Sequence, residues 1–81
     1  MTEQEAISKL QKIIQDTASK EIKLSLTDDL RDITDLDSLD LVMFFIEFES
    51  QSGLKLPEAD QLGKEGWHKV SRLVHALMEV C

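Results

Sequence analysis

Asp35-Leu36-Asp37-Ser38-Leu39-Asp40-Leu41-Val42-Met43-Phe44-Phe45-Ile46-Glu47-Phe48 is the stretch that decides the fold. Asp37 is a good N-cap, because a short carboxylate accepts from the free N–H groups of a first helical turn. Asp40, three residues on, suits the positive end of the helix dipole. Leu41 through Ile46 is apolar on nearly every side. Such a helix is either central or presents a greasy face to a partner. On a helical wheel Leu41, Phe44, Phe45 and Phe48 gather on one side, the expected core face because it holds the aromatics. Leu39, Val42, Met43 and Ile46 fall on the opposite side, beside Ser38. Gly53 supplies a C-terminal stop and Pro57 follows it, so this helix is expected from Asp37-Ser38 to about Ser52.

Working outward, the N-terminal segment opens on Thr2 with Glu5 three residues later, a capping-box pattern. Ala6, Ile7, Leu10, Ile13 and Ile14 then recur at helical spacing. From about Thr17 to Leu36 the period weakens, with Ile22, Leu24, Leu26, Leu30, Ile33 and Leu36 scattered among polar residues. Ile22, Leu24 and Leu26 alternate as a strand would. No second strand is available to pair with them, so a long loop that pins its apolar residues onto a bundle is the better account. A structureless segment of that length in a small domain points to function. After Pro57 a short helical turn is expected over Glu58 to Leu62, ended by Gly63. Trp67, Val70, Leu73, Val74, Leu77 and Met78 mark a last helix, with Lys69 and Arg72 outside. The expected fold is all-α, a four-helix bundle with three longer helices, one short third helix and a long first loop.

With 81 residues the chain forms one domain, residues 1–81. A core and a deep catalytic cleft do not both fit at this size, which favours a carrier, binding or interaction module over an enzyme. Hydrophobic content of 42% suits a folded chain. Asp and Glu number 16 against 9 Lys and Arg, a net charge of −7. That sign repels nucleic acid and anionic membranes and suits basic protein surfaces, although acidity also serves plain solubility. Cys81 is alone and cannot form an internal disulfide; an exposed terminal thiol is expected. The acidic start Met1-Thr2-Glu3-Gln4-Glu5 does not resemble a signal peptide, and no apolar run reaches membrane-spanning length. The expected compartment is the cytoplasm.

Three chemistries compete at Asp35-Leu36-Asp37-Ser38-Leu39-Asp40. A calcium loop fails, because Asp40 stands where the sharp turn needs Gly and Ile46 where a bidentate Glu is needed. A plain helix cap by Asp37 and Ser38 is the simplest reading. The third reading makes Ser38 a covalent attachment site. A serine at a helix N-terminus exposes its hydroxyl, and the N–H groups there favour a phosphate placed on it. The flanking acids repel that phosphate and so serve a basic or metal-bearing modifying enzyme.

Asp29-Leu30, then Asp37-Ser38-Leu39-Asp40, an apolar helix and Gly53-Leu54-Lys55-Leu56-Pro57-Glu58 together resemble the acyl carrier protein family over nearly the whole chain. That family has an Asp-Ser-Leu at the start of its second helix, then a glycine, and a proline before a short third helix. The resemblance implies a four-helix bundle of acyl-carrier type. It implies that a phosphopantetheinyl transferase, using coenzyme A and magnesium, attaches a 4'-phosphopantetheine arm to Ser38. The arm's thiol then holds acyl groups as thioesters for fatty acid, polyketide or related lipid biosynthesis. Such a carrier catalyses nothing; it works as a monomer with acyl-loading, condensing or transferring enzymes. Asp37, Leu39, Asp40, Val42, Met43, Ile46 and Glu47 become the expected recognition residues, Asp40 foremost.

Fatty-acid carriers are typically rich in Glu along the second helix. Met43, Ile46, Ser50 and Gln51 thin that acid out here, leaving Glu47 and Glu49, which implies a specialised rather than a housekeeping carrier. An aminoacyl or peptidyl carrier is the near alternative; a helical interaction module, with Ser38 only a cap, is the distant one. His68 and His75, seven apart on the expected last helix, read as solvated surface side chains without a completing metal ligand. Phe44, Phe45 and Phe48 read as core, with an acyl-chain pocket as a second use, and Trp67 as core. Ser38 paired with a histidine as a hydrolase lacks the glycine elbow such a site needs.

Overall fold

Helix α1, Glu3–Ala18, starts at the capping box expected of it: Glu5 N–H donates to the Thr2 hydroxyl and Thr2 N–H to the Glu5 carboxylate. The computed structural model describes residues 1–80, apart from the Ala59 side chain; the expected Cys81 thiol lies outside them. The α1 stripe Ala6, Ile7, Leu10, Ile13 and Ile14 is buried throughout and packs against both later long helices. The helix ends at Ser19, which takes the left-handed conformation (φ 57°) and returns its N–H to Gln15 O.

Helix α2 runs Ser38–Ser52, α3 Ala59–Lys64 and α4 Val70–Val80. Phe44, Phe45 and Phe48 of α2 are buried, with Phe44 edge-on to Phe45 and stacked on Phe48. Gly53 closes α2 in the left-handed conformation (φ 75°). From α4, Val70, Leu73, Val74, Ala76 and Leu77 complete one core. No polar or charged residue among those described is fully buried. The radius of gyration, 11.4 Å, is near the roughly 12 Å expected of a folded domain this long. No described helix is long and apolar enough to cross a membrane.

The long loop is ordered by what it inserts. Leu24, Leu30 and Leu36 are buried, and Ile22, Leu26 and Ile33 pack against the core's edge. Gln11 of α1 accepts from Leu24 N–H at 2.8 Å. A short 3-10 turn, Leu30–Asp32, interrupts the loop. Asp29 caps it and holds Arg31 through two side-chain bonds of 3.1 and 2.9 Å. On either side of Asp29 the backbone is bonded to the approach to α4, Leu30 N to His68 O at 2.8 Å and Val70 N to Asp28 O at 3.0 Å. No strand forms among the described residues; Asp29 opposite Lys69 is an isolated bridge.

Three boundaries differ from expectation. Helix α3 runs Ala59–Lys64, not Glu58 to Leu62, and Gly63 lies within it. The reversal falls on Gly66 (φ 76°), three residues later. Trp67 therefore precedes α4; it remains buried, with the Arg72 guanidinium 4.1 Å from its ring centre. Met78 is exposed rather than part of the buried stripe, because Ala76 is buried instead and the inward arc of α4 is centred away from Met78.

If the loop is a structural part of the core, Leu30→Ala lowers unfolding free energy by about 2–5 kcal/mol in denaturant titration, as for any fully buried leucine. Thr34→Ala, exposed in the same loop, changes it by less than about 0.5 kcal/mol. Equal, small effects would show that the loop is only a tether.

Candidate functional site

The start of α2 is closed by Asp37 and Asp40, not by Ser38. Asp40 N–H donates to Asp37 Oδ1 at 2.8 Å, and Asp37 N–H donates back to Asp40 Oδ2 at 3.3 Å. This is a capping box built from two aspartates. Ser38 is the first residue of the helix and is exposed. Its hydroxyl makes no hydrogen bond to any described residue. The helix thus holds Ser38 Oγ at its positive end without using it.

Asp40 is less free than a docking acid would be. Its Oδ2 lies 3.4 Å from Lys20 Nζ, and its side chain keeps only 16% of its surface. Lys20 also donates to the Asp35 backbone carbonyl. The end of α1 is thereby tied to the base of α2, beside Ser38.

Outward from Ser38, α2 presents an apolar strip: Leu39 is 65% exposed, Val42 51%, Met43 42% and Ile46 61%. This is the face assigned to solvent from the wheel, and Leu41 on the other side is half-buried against the core. Glu47 stands at the rim, half-buried, accepting from the Gln51 amide at 3.0 Å. Glu49 is turned inward: its carboxylate accepts from Leu56 N–H at 2.9 Å and pulls the α2–α3 connection onto α2.

That connection makes one wall of a groove of about 330 Å³, with Ser38, Val42, Phe45 and Ile46 on the α2 side and Leu56, Pro57 and Leu62 opposite. Of the three phenylalanines only Phe45 lines it; Phe44 and Phe48 are interior. His68 closes one side, its ring edge-on to Phe45 with centres 5.2 Å apart. The residues expected to work with Ser38 are therefore gathered around it, and the structure adds Lys20, Leu56, Leu62 and His68.

His68 departs from the sequence reading. It lies in the turn before α4, not on the helix, so it shares no helical face with the exposed His75. It is half-buried, and its Nδ1 is shielded from solvent without a hydrogen-bond partner. Burial holds its pKa below the ordinary 6.5; Arg31 nearby pushes the same way and Asp29 opposes it. The signal was Gly66, which breaks the chain just before Trp67 and starts α4 later.

The chain matches no family model, and it has no significant match among solved structures.

A depressed folded pKa means the unfolded chain binds the proton more readily, so His68 stabilises the fold above about pH 6.5 and the contribution is lost as pH falls. Melting temperature is expected to fall between about pH 7 and 5, and to fall less in His68→Leu. Parallel pH profiles for the two proteins would remove His68 as the cause.

Proposed function

We propose that this protein is a carrier of the acyl carrier type, with Ser38 as the attachment point of a 4'-phosphopantetheine arm. The observation that carries this reading is the division of labour at the start of α2. Capping falls to Asp37 and Asp40, which leaves the Ser38 hydroxyl exposed and uncommitted at the helix's positive end. A serine kept only as a cap would be spending its oxygen on a backbone N–H.

In the loading step Ser38 Oγ attacks the phosphorus of coenzyme A that bears the pantetheine. A new O–P bond forms, and the bond to the nucleotide half breaks. The serine proton would pass to a base of the transferase, whose magnesium would offset charge on the departing phosphate. This protein contributes the nucleophile and its placement. The new phosphodiester sits where first-turn N–H groups and the helix dipole stabilise an anion. The arm then carries acyl groups as thioesters and delivers them to loading, condensing or transferring enzymes; the carrier itself catalyses nothing.

Leu39, Val42, Met43 and Ile46 form the expected docking strip, since contiguous exposed apolar surface marks interaction sites. Glu47 steers from the rim. Asp40 is a poor single test of steering, because its carboxylate also closes the cap and pairs with Lys20. The acid-poor α2 favours a specialised client over a highly basic one.

Incubation with coenzyme A and a permissive phosphopantetheinyl transferase should add the mass of one phosphopantetheine. Ser38→Ala should abolish the gain with helical content unchanged. No gain, with the transferase shown active on another carrier, would leave the interaction-module reading in its place. Met43→Glu should fold and load normally, because the side chain is exposed, while slowing transfer to the cognate client several-fold. Unimpaired transfer would remove the strip as the docking surface.

A further inference from the structure

Beyond Ser38 at its rim, the groove is lined by apolar side chains and two polar ones, Glu49, whose carboxylate already accepts from Leu56 N–H, and His68. Among the described residues, His68 Nδ1 is the buried side-chain nitrogen or oxygen left without a partner. Leaving such an atom unsatisfied is costly, and the stability margin of so small a domain is thin. The ring is not loose: it packs at right angles against Phe45, and its own backbone carbonyl is fixed by Leu30 N–H. A held ring with an idle nitrogen, in the wall of a cavity, has the form of half a hydrogen bond.

The missing half is defined by imidazole chemistry. A neutral imidazole donates from one nitrogen and accepts at the other. A saturated chain offers Nδ1 nothing in either tautomer. A carbonyl serves only if Nδ1 bears the proton. A hydroxyl donates and accepts, so it satisfies Nδ1 in both. The groove's volume, about 330 Å³, holds on the order of ten groups if each takes what a water takes, roughly 30 Å³. That suits a chain of medium length, and Ser38 at the rim places its tether.

We propose that the groove receives an acyl chain bearing a hydroxyl, which hydrogen-bonds His68 Nδ1 once the atoms that shield it from solvent give way. The inference rests on the carrier reading for the tether and names the cargo class within it. The apolar walls accept any chain of suitable length; His68 makes the choice. A hydroxyl buried without a partner among these walls would be penalised, whereas bonded to Nδ1 it is favoured. A polar group in a site therefore discriminates more sharply than apolar contact does.

The test loads the protein with decanoyl, 3-hydroxydecanoyl or 5-hydroxydecanoyl cargo and follows the His68 ring nitrogens by NMR, alongside the melting temperature. At least one hydroxylated cargo is expected to move the Nδ1 resonance and to raise the melting temperature above that of the decanoyl form. Decanoyl should leave the Nδ1 resonance where it is. His68→Phe, which keeps an aromatic edge against Phe45, should reverse the thermal order. If that variant does not fold, His68→Gln takes its place, and the wild-type nitrogen shift still decides. Identical shifts from decanoyl and the hydroxylated chains would overturn the proposal. So would a hydrogen-bonded Nδ1 in the unloaded protein, which would mean that water already fills the role. Failure of Ser38 to take an arm would instead overturn the carrier reading. The groove would then be titrated with the same chains as free N-acetylcysteamine thioesters. The hydroxylated one should bind two- to ten-fold more tightly, the range set by one net hydrogen bond of about 0.5–1.5 kcal/mol. Equal affinities would end the proposal there too.

Discussion

Two backbone hydrogen bonds, Leu30 N to His68 O and Val70 N to Asp28 O, join the middle of the long loop to the start of α4. Much of the candidate site depends on this join. It seats Leu30 in the centre of the core, and it fixes the turn that carries Trp67 and His68. With that turn held, the His68 ring meets Phe45 edge-on and closes the groove that begins at Ser38. A loop without regular secondary structure thereby acts as a structural strut. Its entropy is offset by buried leucines and by a few directed bonds, including Gln11 to Leu24 and Asp29 to Arg31.

Helices α1 and α2 were legible in the sequence because each advertises its start, its buried face and its end. Thr2 with Glu5, and Asp37 with Asp40, sit at capping distance before apolar runs. The side of α2 facing the core was decided by three phenylalanines that fit one wheel sector, and the exposed strip followed by elimination. The end of the chain was less legible. Gly63 and Gly66 are near neighbours, and a glycine tolerates either a helical interior or a left-handed turn. Periodicity cannot choose between them when Trp67 fits the α4 stripe by spacing alone. Placing the stop at Gly63 put His68 on a helix face in solvent, and its place in the groove went unseen.

Other features lay beyond any local signal. The pairing of Lys20 with Asp40 and the reach of Glu49 to Leu56 N–H join residues that are distant in sequence or separated by a turn. Both involve charged residues that composition counts as surface acid or base. In the fold they are engaged within the molecule, so fewer carboxylates around Ser38 are free for a partner than the count of acids suggests.

Val42 and Ile46 belong to two surfaces at once, the exposed strip of α2 and the wall of the groove. Anything that presses on the strip from outside bears on the same two side chains that a chain inside the groove touches from beneath. Contact from without and occupancy from within are then felt at one shared partition, two residues thick. On the carrier reading proposed above, such a partition would need no long-range signal to report whether the groove is full, and a partner's arrival on the strip would itself disturb whatever the groove holds.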